Sequence, residues 1–339
     1  MGQKGAARGA GLGYGGEMLR NDLHNVMASG ATSAHKASQI VQLIDQVSTI
    51  IVGKRDQVTL SVICLLAGGH LLIEDVPGVG KTTLSQALAR SLGLSFSRIQ
   101  FTADLLPTDL IGVSVYERQK EAFVFHPGPV FAQVLLADEI NRAGPRTQSA
   151  LLEAMEERQV SVEGETRPLP SPFFVIATQN PSEQLGTHPL PESQLDRFAM
   201  RLSLGYPDPA AERALLTGED KRQSLQQIRP LMSQSDWQQW QDRVANIHVS
   251  DNLLDYLQAL LTATRDGAWF AQGLSPRAGL SLLKLAKARA LVLGRGHVSP
   301  EDIQTLWVPA VAHRLMPLPQ SGRSAAAQAR VLLESTPVP

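Results

Sequence analysis

From Ser38 to Leu204, short apolar runs alternate with amphipathic segments, the pattern of strands buried on both faces with helices between them. Five runs read as strands: His70 to Glu74, Phe96 to Gln100, Val134 to Asp138, Phe173 to Gln179 and Met200 to Leu204. They predict an α/β fold, a five-stranded parallel sheet sandwiched by helices. Two pairs of short alternating runs, "VSVYERQKEAFVF" (113–125) and "QVSVEGETRPLPSPFFVIA" (159–177), fold back around polar residues and predict β-hairpins projecting from the sheet. After Leu204 the break "GYPDPAAER" ends the strand signals. Trp237, Trp240, Val244 and Ile247 then repeat at helical spacing, as do Leu253, Leu254, Leu257, Leu260 and Leu261. A helix from Pro276 should stop at Gly294, and "SPED" at 299–302 sets Ser299 at an N-cap with Pro300 in the first helical position.

Three regions follow: a tail (1–38), an α/β domain with two hairpin inserts (39–207) and an all-helical C-terminal domain (208–339). The tail, with eight glycines and few large apolar residues, is expected to be mostly disordered, with "EMLRNDLHNVM" a transient helix at most.

Composition removes several function classes. The 31 Lys and Arg nearly cancel the 32 Asp and Glu, so no global field draws the chain to nucleic acid or an anionic membrane. The longest apolar stretch, "VICLLAGGHLLI", is too short to span a bilayer, so membrane insertion is not expected. The N-terminus shows no apolar signal core, and Ala6 stands where a myristoylation motif needs Ser or Thr. A single cysteine, Cys64, rules out an internal disulfide and fits the cytoplasm; set in an apolar run, it reads as a small buried hydrophobe.

The chemistry begins at "EDVPGVGKTT" (74–83). A phosphate loop is written G-x-x-x-x-G-K-[ST], and Asp75 occupies the place of its first glycine. The rest fits: a strand runs into Pro77-Gly78-Val79-Gly80-Lys81-Thr82-Thr83 and then into a helix. Backbone N–H groups from Gly78 to Lys81 would cradle a β-phosphate, Lys81 would reach the β- and γ-phosphates, and Thr82 would ligate Mg²⁺. Asp75 begins the loop, so its carboxylate can point outward, away from the phosphates. A bare G-K-T would leave a Gly-rich turn as a serious rival; strand, loop and helix together argue against it.

Downstream, "VLLADEINR" ends a buried strand in Asp138-Glu139. Asp138 would hold Mg²⁺ through its water shell, and Glu139 would polarise an attacking water. A kinase or signalling GTPase does not need that glutamate; an enzyme hydrolysing its nucleotide with water does. Asn180, leaving the next strand in "PFFVIATQNP", is placed to orient the water, although a turn residue before Pro181 would look the same. Arg197, in "LPESQLDRF", lies too far round the sheet edge to serve its own nucleotide easily. It would reach a neighbouring subunit's γ-phosphate as a finger, with a surface ion pair as the bland alternative. Arg277, in "SPRA", starts a helix, where an arginine is electrostatically unfavoured, and this points to an anion nearby. H-E-x-x-H, paired cysteines and G-x-S-x-G are absent.

Together with "FTADLLPTDLIG" and "HPGPVF", these motifs closely resemble those of the MoxR family of AAA+ ATPases, from about Ile40 to the C-terminus. The resemblance implies an AAA+ P-loop core with a C-terminal helical lid, using ATP and Mg²⁺ and hydrolysing ATP to ADP and phosphate. It makes Asn180 sensor 1, Arg197 the arginine finger and Arg277 sensor 2, places "IIVGK", with Val52 and Gly53, at the adenine pocket, and tolerates a non-glycine at position 75. The hairpins become the helix-2 insert and the pre-sensor-1 hairpin. It further implies self-association into a ring, a hexamer, and a chaperone-like remodeller or maturation factor acting on a client complex with a von Willebrand factor A domain partner. A DNA-linked or transcriptional ATPase and a nucleotide-gated scaffold are the alternatives. Neither hairpin interleaves basic and aromatic residues as a single-strand binder would, so a nucleic-acid partner is not expected.

Overall fold

The computed structural model describes residues 34–180, 187–216 and 225–338. The expected disordered tail, with its "EMLRNDLHNVM" segment, lies outside the described residues as far as position 33. Helix α1 (Ala34–Ile50) begins inside the last few residues assigned to that tail.

The order continues with α2 (Arg55–Leu66), β1 (His70–Glu74), α3 (Lys81–Ser91), β2 (Phe96–Gln100), α4 (Pro107–Ile111), β3 (Gly112–Glu117), β4 (Ala122–Pro127), β5 (Val134–Asp138) and α5 (Pro145–Glu157). Then come β6 (Gln159–Val162), β7 (Glu165–Pro168), β8 (Phe174–Gln179), α6 (Glu192–Leu195) and β9 (Phe198–Leu202). Five strands pair in the order β2-β5-β8-β1-β9, each contact parallel. The three central strands are buried almost end to end, as continuous apolar runs covered on both faces require, whereas β2, at an edge, exposes alternate residues. Parallel pairing brings every strand's C-terminal end to one edge of the sheet. Gln100 stands opposite Asp138 there, and Glu74 opposite Gln179. In open α/β sheets that edge is where ligands bind.

Both inserts are antiparallel hairpins, β3 with β4 and β6 with β7. They meet where the Arg167 guanidinium lies over the Phe125 ring at 4.1 Å.

Beyond β9 the chain is mainly helical: α7 (Pro209–Leu216), α8 (Gln234–Ala245), α9 (Asp251–Arg265), α10 (Pro276–Val292), α11 (Pro300–Val311) and α12 (Ala325–Ser335). Helix starts follow the capping chemistry. The Ser275 hydroxyl accepts Ala278 N–H at 3.0 Å, and Asp302 returns to Ser299 N–H at 2.8 Å. These helices do not stand apart from the sheet. Trp237 packs edge-on against Phe174 of β8, ring centres 6.0 Å apart, and one continuous apolar core runs from Leu43 and Ile63 through Leu71 and Ile176 to Leu285 and Trp307.

Two strand expectations need correction. The fifth strand runs Phe198–Leu202, two residues earlier than Met200–Leu204, because His70 of β1 pairs with Phe198 and the chain leaves the sheet at Ser203. The region after Leu204 is not free of strands, since β10 (Phe270–Gln272) pairs with β11 (Met316–Pro317). Three and two residues are too short to show a period of two.

Candidate functional site

A cavity of about 320 Å³ opens at the C-terminal edge of the sheet, lined by Pro77, Gly78, Gly80 to Thr83, Arg98, Asp138, Glu139 and Asn180. Its floor is the loop from β1 to α3. Gly78 and Gly80 hold φ at +84° and +97°, a backbone that L side chains resist, and Gly80 caps α3. This turn presents backbone N–H groups at a helix N-terminus, an arrangement that attracts anions.

Lys81 opens α3 and is buried. Its ammonium donates to the Asp75 carbonyl at 2.6 Å and to Asn180 Oδ1 at 3.2 Å. Burial lowers its pKa, opposed by the carboxylates of Asp75, Asp138 and Glu139. Thr82 and Thr83 line the cavity; Val79 instead packs into the main core.

Asp138 ends β5, buried, with Oδ1 accepting the Thr178 hydroxyl at 2.6 Å and Oδ2 paired with the Arg98 guanidinium at 2.6 Å. Glu139 takes a left-handed backbone, φ +56°, which turns the chain out of the sheet while its N–H donates to Thr178 Oγ1 at 2.9 Å. Its carboxylate accepts Asn180 Nδ2 at 3.2 Å and pairs with Arg142 at 2.6 Å. Asn180 therefore bridges the lysine and the glutamate.

Asp75 does not point outward. It is buried, and its carboxylate turns into the protein, accepting its neighbour Val76 N–H at 2.9 Å, Ser203 Oγ at 3.0 Å and Gly205 N–H at 2.6 Å. Lys54 donates to the Tyr206 carbonyl at 2.7 Å. Val52 and Gly53 thus lie on a turn joined to the phosphate loop through 203–206, without lining the phosphate cavity itself.

Arg197 and Arg277 are not at this cavity. Arg197 precedes β9 and Arg277 lies in the first turn of α10; both line a second cavity of about 270 Å³ beside Gly68, Gly69 and His70, at the N-terminal end of β1. The five residues of β1 span roughly 16 Å, so the two arginines and the phosphate loop occupy opposite ends of one sheet. Both guanidiniums pair with Glu156, and Arg197 also donates to the Leu152 carbonyl at 2.7 Å.

The sequence reading missed Arg98, Thr178, Arg142 and Glu156. Thr178 had a visible signal, a lone hydroxyl closing the buried run "FVIAT". Arg98 and Glu156 depend on which strands and helices become neighbours.

A parallel sheet delivering G-K-T, an Asp-Glu pair and an asparagine to one edge, with helices following β9, defines a P-loop nucleotide hydrolase of the AAA+ class. Residues 70–200 match the ATPase family associated with various cellular activities (AAA), and 262–332 match the AAA lid domain. The chain is 45% identical over 299 residues to the uncharacterized protein YeaC of Bacillus subtilis, covering 87% of this chain and 93% of that one. It is 43% identical over 303 residues to Chaperone MoxR1 of Mycobacterium tuberculosis, covering 86% and 80%. A crystal structure of a Cytophaga hutchinsonii protein matches with TM-score 0.83 at 34% identity, over 95% of this chain and 98% of that one. The chain belongs to the MoxR family of AAA+ ATPases. Among the described residues no helix is long and apolar enough to cross a membrane.

Proposed function

We propose that the chain binds Mg·ATP at Lys81 and splits it with water in a ring whose adjoining copy supplies Arg197 and Arg277. Lys81 and the loop amides grip the β- and γ-phosphates, and Glu139 takes the proton of a water that Asn180 helps to orient. Val52 and Gly53 face the adenine. Thr82 and Asp138 hold Mg²⁺, which when bound neutralises charge on the phosphate oxygens. This donor set suits Mg²⁺, which takes one or two protein oxygens together with substrate phosphates.

The observation that carries the shared site is the separation of Arg197 and Arg277 from their own phosphate loop by the length of β1. Arginines held at that end cannot serve the nucleotide at the other, which supports their use on one carried by a second copy. The energy is used for chaperone-like remodelling of a client complex in the cytoplasm, with a von Willebrand factor A domain partner. The name Chaperone MoxR1 supports the chaperone-like part of this reading, and the partner follows from the resemblance of the motifs alone.

Mixing tests the shared site. Lys81→Ala subunits should not bind ATP, and Arg197→Ala subunits should bind it but turn over about 10³-fold slower, the scale of a missing finger. Combined, they should recover turnover, because an intact phosphate loop then adjoins intact arginines. No recovery, or normal turnover by Arg197→Ala alone, refutes the shared site. For the client and partner, affinity capture with the ATP-trapping Glu139→Gln protein should retain a von Willebrand factor A domain protein; capture that is identical without ATP counts against that reading.

A further inference from the structure

Glu156 is the second-last residue of α5, and Arg277 lies in the first turn of α10. An acid at a helix C-terminus and a base at a helix N-terminus are each disfavoured by the helix dipole. Here the two misplaced charges face each other. Arg277 pairs with Glu156 Oε1 and Arg197 with Oε2, so one carboxylate spends both oxygens on two guanidiniums.

Folding stability gives a weak account of this cluster. Arg197, Glu156 and Arg277 are 27%, 34% and 46% exposed, and ion pairs at such exposure add little. The start of α10 is already tied to the segment before β9 by other means. Asp196 accepts Ser275 Oγ, the cap of α10, at 2.9 Å and pairs with the buried Arg314 at 3.2 Å. Glu156 is left with a different task. Arg158, Lys284 and Arg314 line the same cavity, and a lone guanidinium among so many cations would be driven outward.

We propose that Glu156 is the positioning residue that sets Arg197 and Arg277 as a pair, aligned to receive the terminal phosphate of a nucleotide bound by a second copy. This rests on the shared-site reading and assigns it a part beyond the two arginines. The carboxylate neutralises their mutual repulsion and fixes their spacing, while its partial exposure leaves guanidinium N–H groups open to an incoming anion. Without Glu156 the arginines remain but lose their common geometry, so the loss should fall on the chemical step rather than on nucleotide binding.

Glu156→Ala should lower kcat by roughly 10²-fold, the scale of a misplaced rather than a missing group. ATP affinity should change little, because the loop amides and Lys81, which grip the nucleotide, are intact in every subunit. Glu156→Gln, which keeps one acceptor oxygen and the side-chain shape, should fall between Glu156→Ala and the unsubstituted protein. The deciding measurement is mixing. Lys81→Ala subunits, which carry intact Glu156, Arg197 and Arg277, should restore turnover to Glu156→Ala subunits as they do to Arg197→Ala subunits. If the Arg197→Ala mixture recovers and the Glu156→Ala mixture does not, the positioning role is wrong and the shared site stands. If neither recovers, the shared site fails and this inference fails with it. Unchanged kcat in Glu156→Ala, or an equal fall in ATP affinity and turnover, also overturns it.

Discussion

Asp75 accepts the backbone N–H of Gly205 at 2.6 Å, joining the first residue of the phosphate loop to the segment that leaves β9 for the C-terminal helices. The same residue's carbonyl accepts the Lys81 ammonium, so one amino acid contacts both the lysine of the loop and the exit toward the lid. Asp75→Gly, which restores the standard loop glycine, should therefore damage the protein. It removes the acceptor of the half-buried Gly205 N–H and of the exposed Ser203 hydroxyl, a cost of about 1 kcal/mol that falls mainly on Gly205. Asp75→Asn keeps one acceptor oxygen and should cost less. Thermal unfolding and nucleotide titration of the two variants decide the matter: an Asp75→Gly protein as stable and as tight-binding as the unsubstituted chain removes this role.

Asn180 touches Lys81 through its oxygen and Glu139 through its nitrogen. Asn180→Asp keeps the acceptor for the lysine but replaces the donor with a second carboxylate beside Glu139. ATP should still bind. Turnover should fall about 10²-fold or more, the scale for loss of a positioned polar group at a reacting centre. Single-turnover hydrolysis beside equilibrium binding separates the two effects, and a parallel loss of both would place Asn180 in binding rather than in water orientation.

Much of this site was legible because strand ends and site residues coincide. The runs 70–74, 96–100 and 134–138 are the observed strands to the residue, the first and last of them apolar stretches closed by an acid. Lys81, Thr82, Asp138, Glu139 and Asn180 follow such ends, and the cavity gathers all five. What stayed hidden depends on register. Arg98 meets Asp138 because β2 pairs with β5 such that Gln100 stands opposite Asp138, a fact no spacing along the chain encodes. Glu156 meets Arg197 and Arg277 only after α5, the start of β9 and α10 converge. The buried direction of the Asp75 carboxylate was hidden for the same reason, since its partners lie about 130 residues away. Cys64 follows its reading as a small buried hydrophobe, with its thiol pushed up to about 12 by burial.

In the C-terminal helices, Asp302 has no exposed surface and accepts both Arg289 and Arg295, while Arg289 is itself 1% exposed. Removing the charge from Asp302 takes a buried carboxylate away from the buried Arg289, a change that costs about 3–5 kcal/mol when a buried pair is broken. Asp302→Asn should therefore lower the denaturant midpoint strongly. Replacing the exposed Glu334 by Gln should leave it nearly unchanged. Equal midpoints for the two variants would show that the buried pair contributes no more than a surface charge.

His70 and His313 tie stability to pH. His70 is buried, its Nδ1 accepting Val175 N–H at 3.0 Å while Nε2 meets the Met155 carbonyl at 3.2 Å, contacts that hold the neutral ring. Burial pushes its pKa from 6.5 down to about 4. His313, against the Phe198 carbonyl and beside Arg314, is also pushed well down, chiefly by burial. Between those pKa values the unfolded chain binds protons that the folded chain refuses. Stability is therefore complete above pH 6.5 and declines as pH falls toward 4, by roughly 3 kcal/mol for His70 alone. Unfolding temperature measured across that window should drop steadily. His70→Asn, which retains an acceptor for Val175, should begin less stable at neutral pH and decline less on acidification. An identical pH slope in the two proteins would mean that His70 is not the group being titrated.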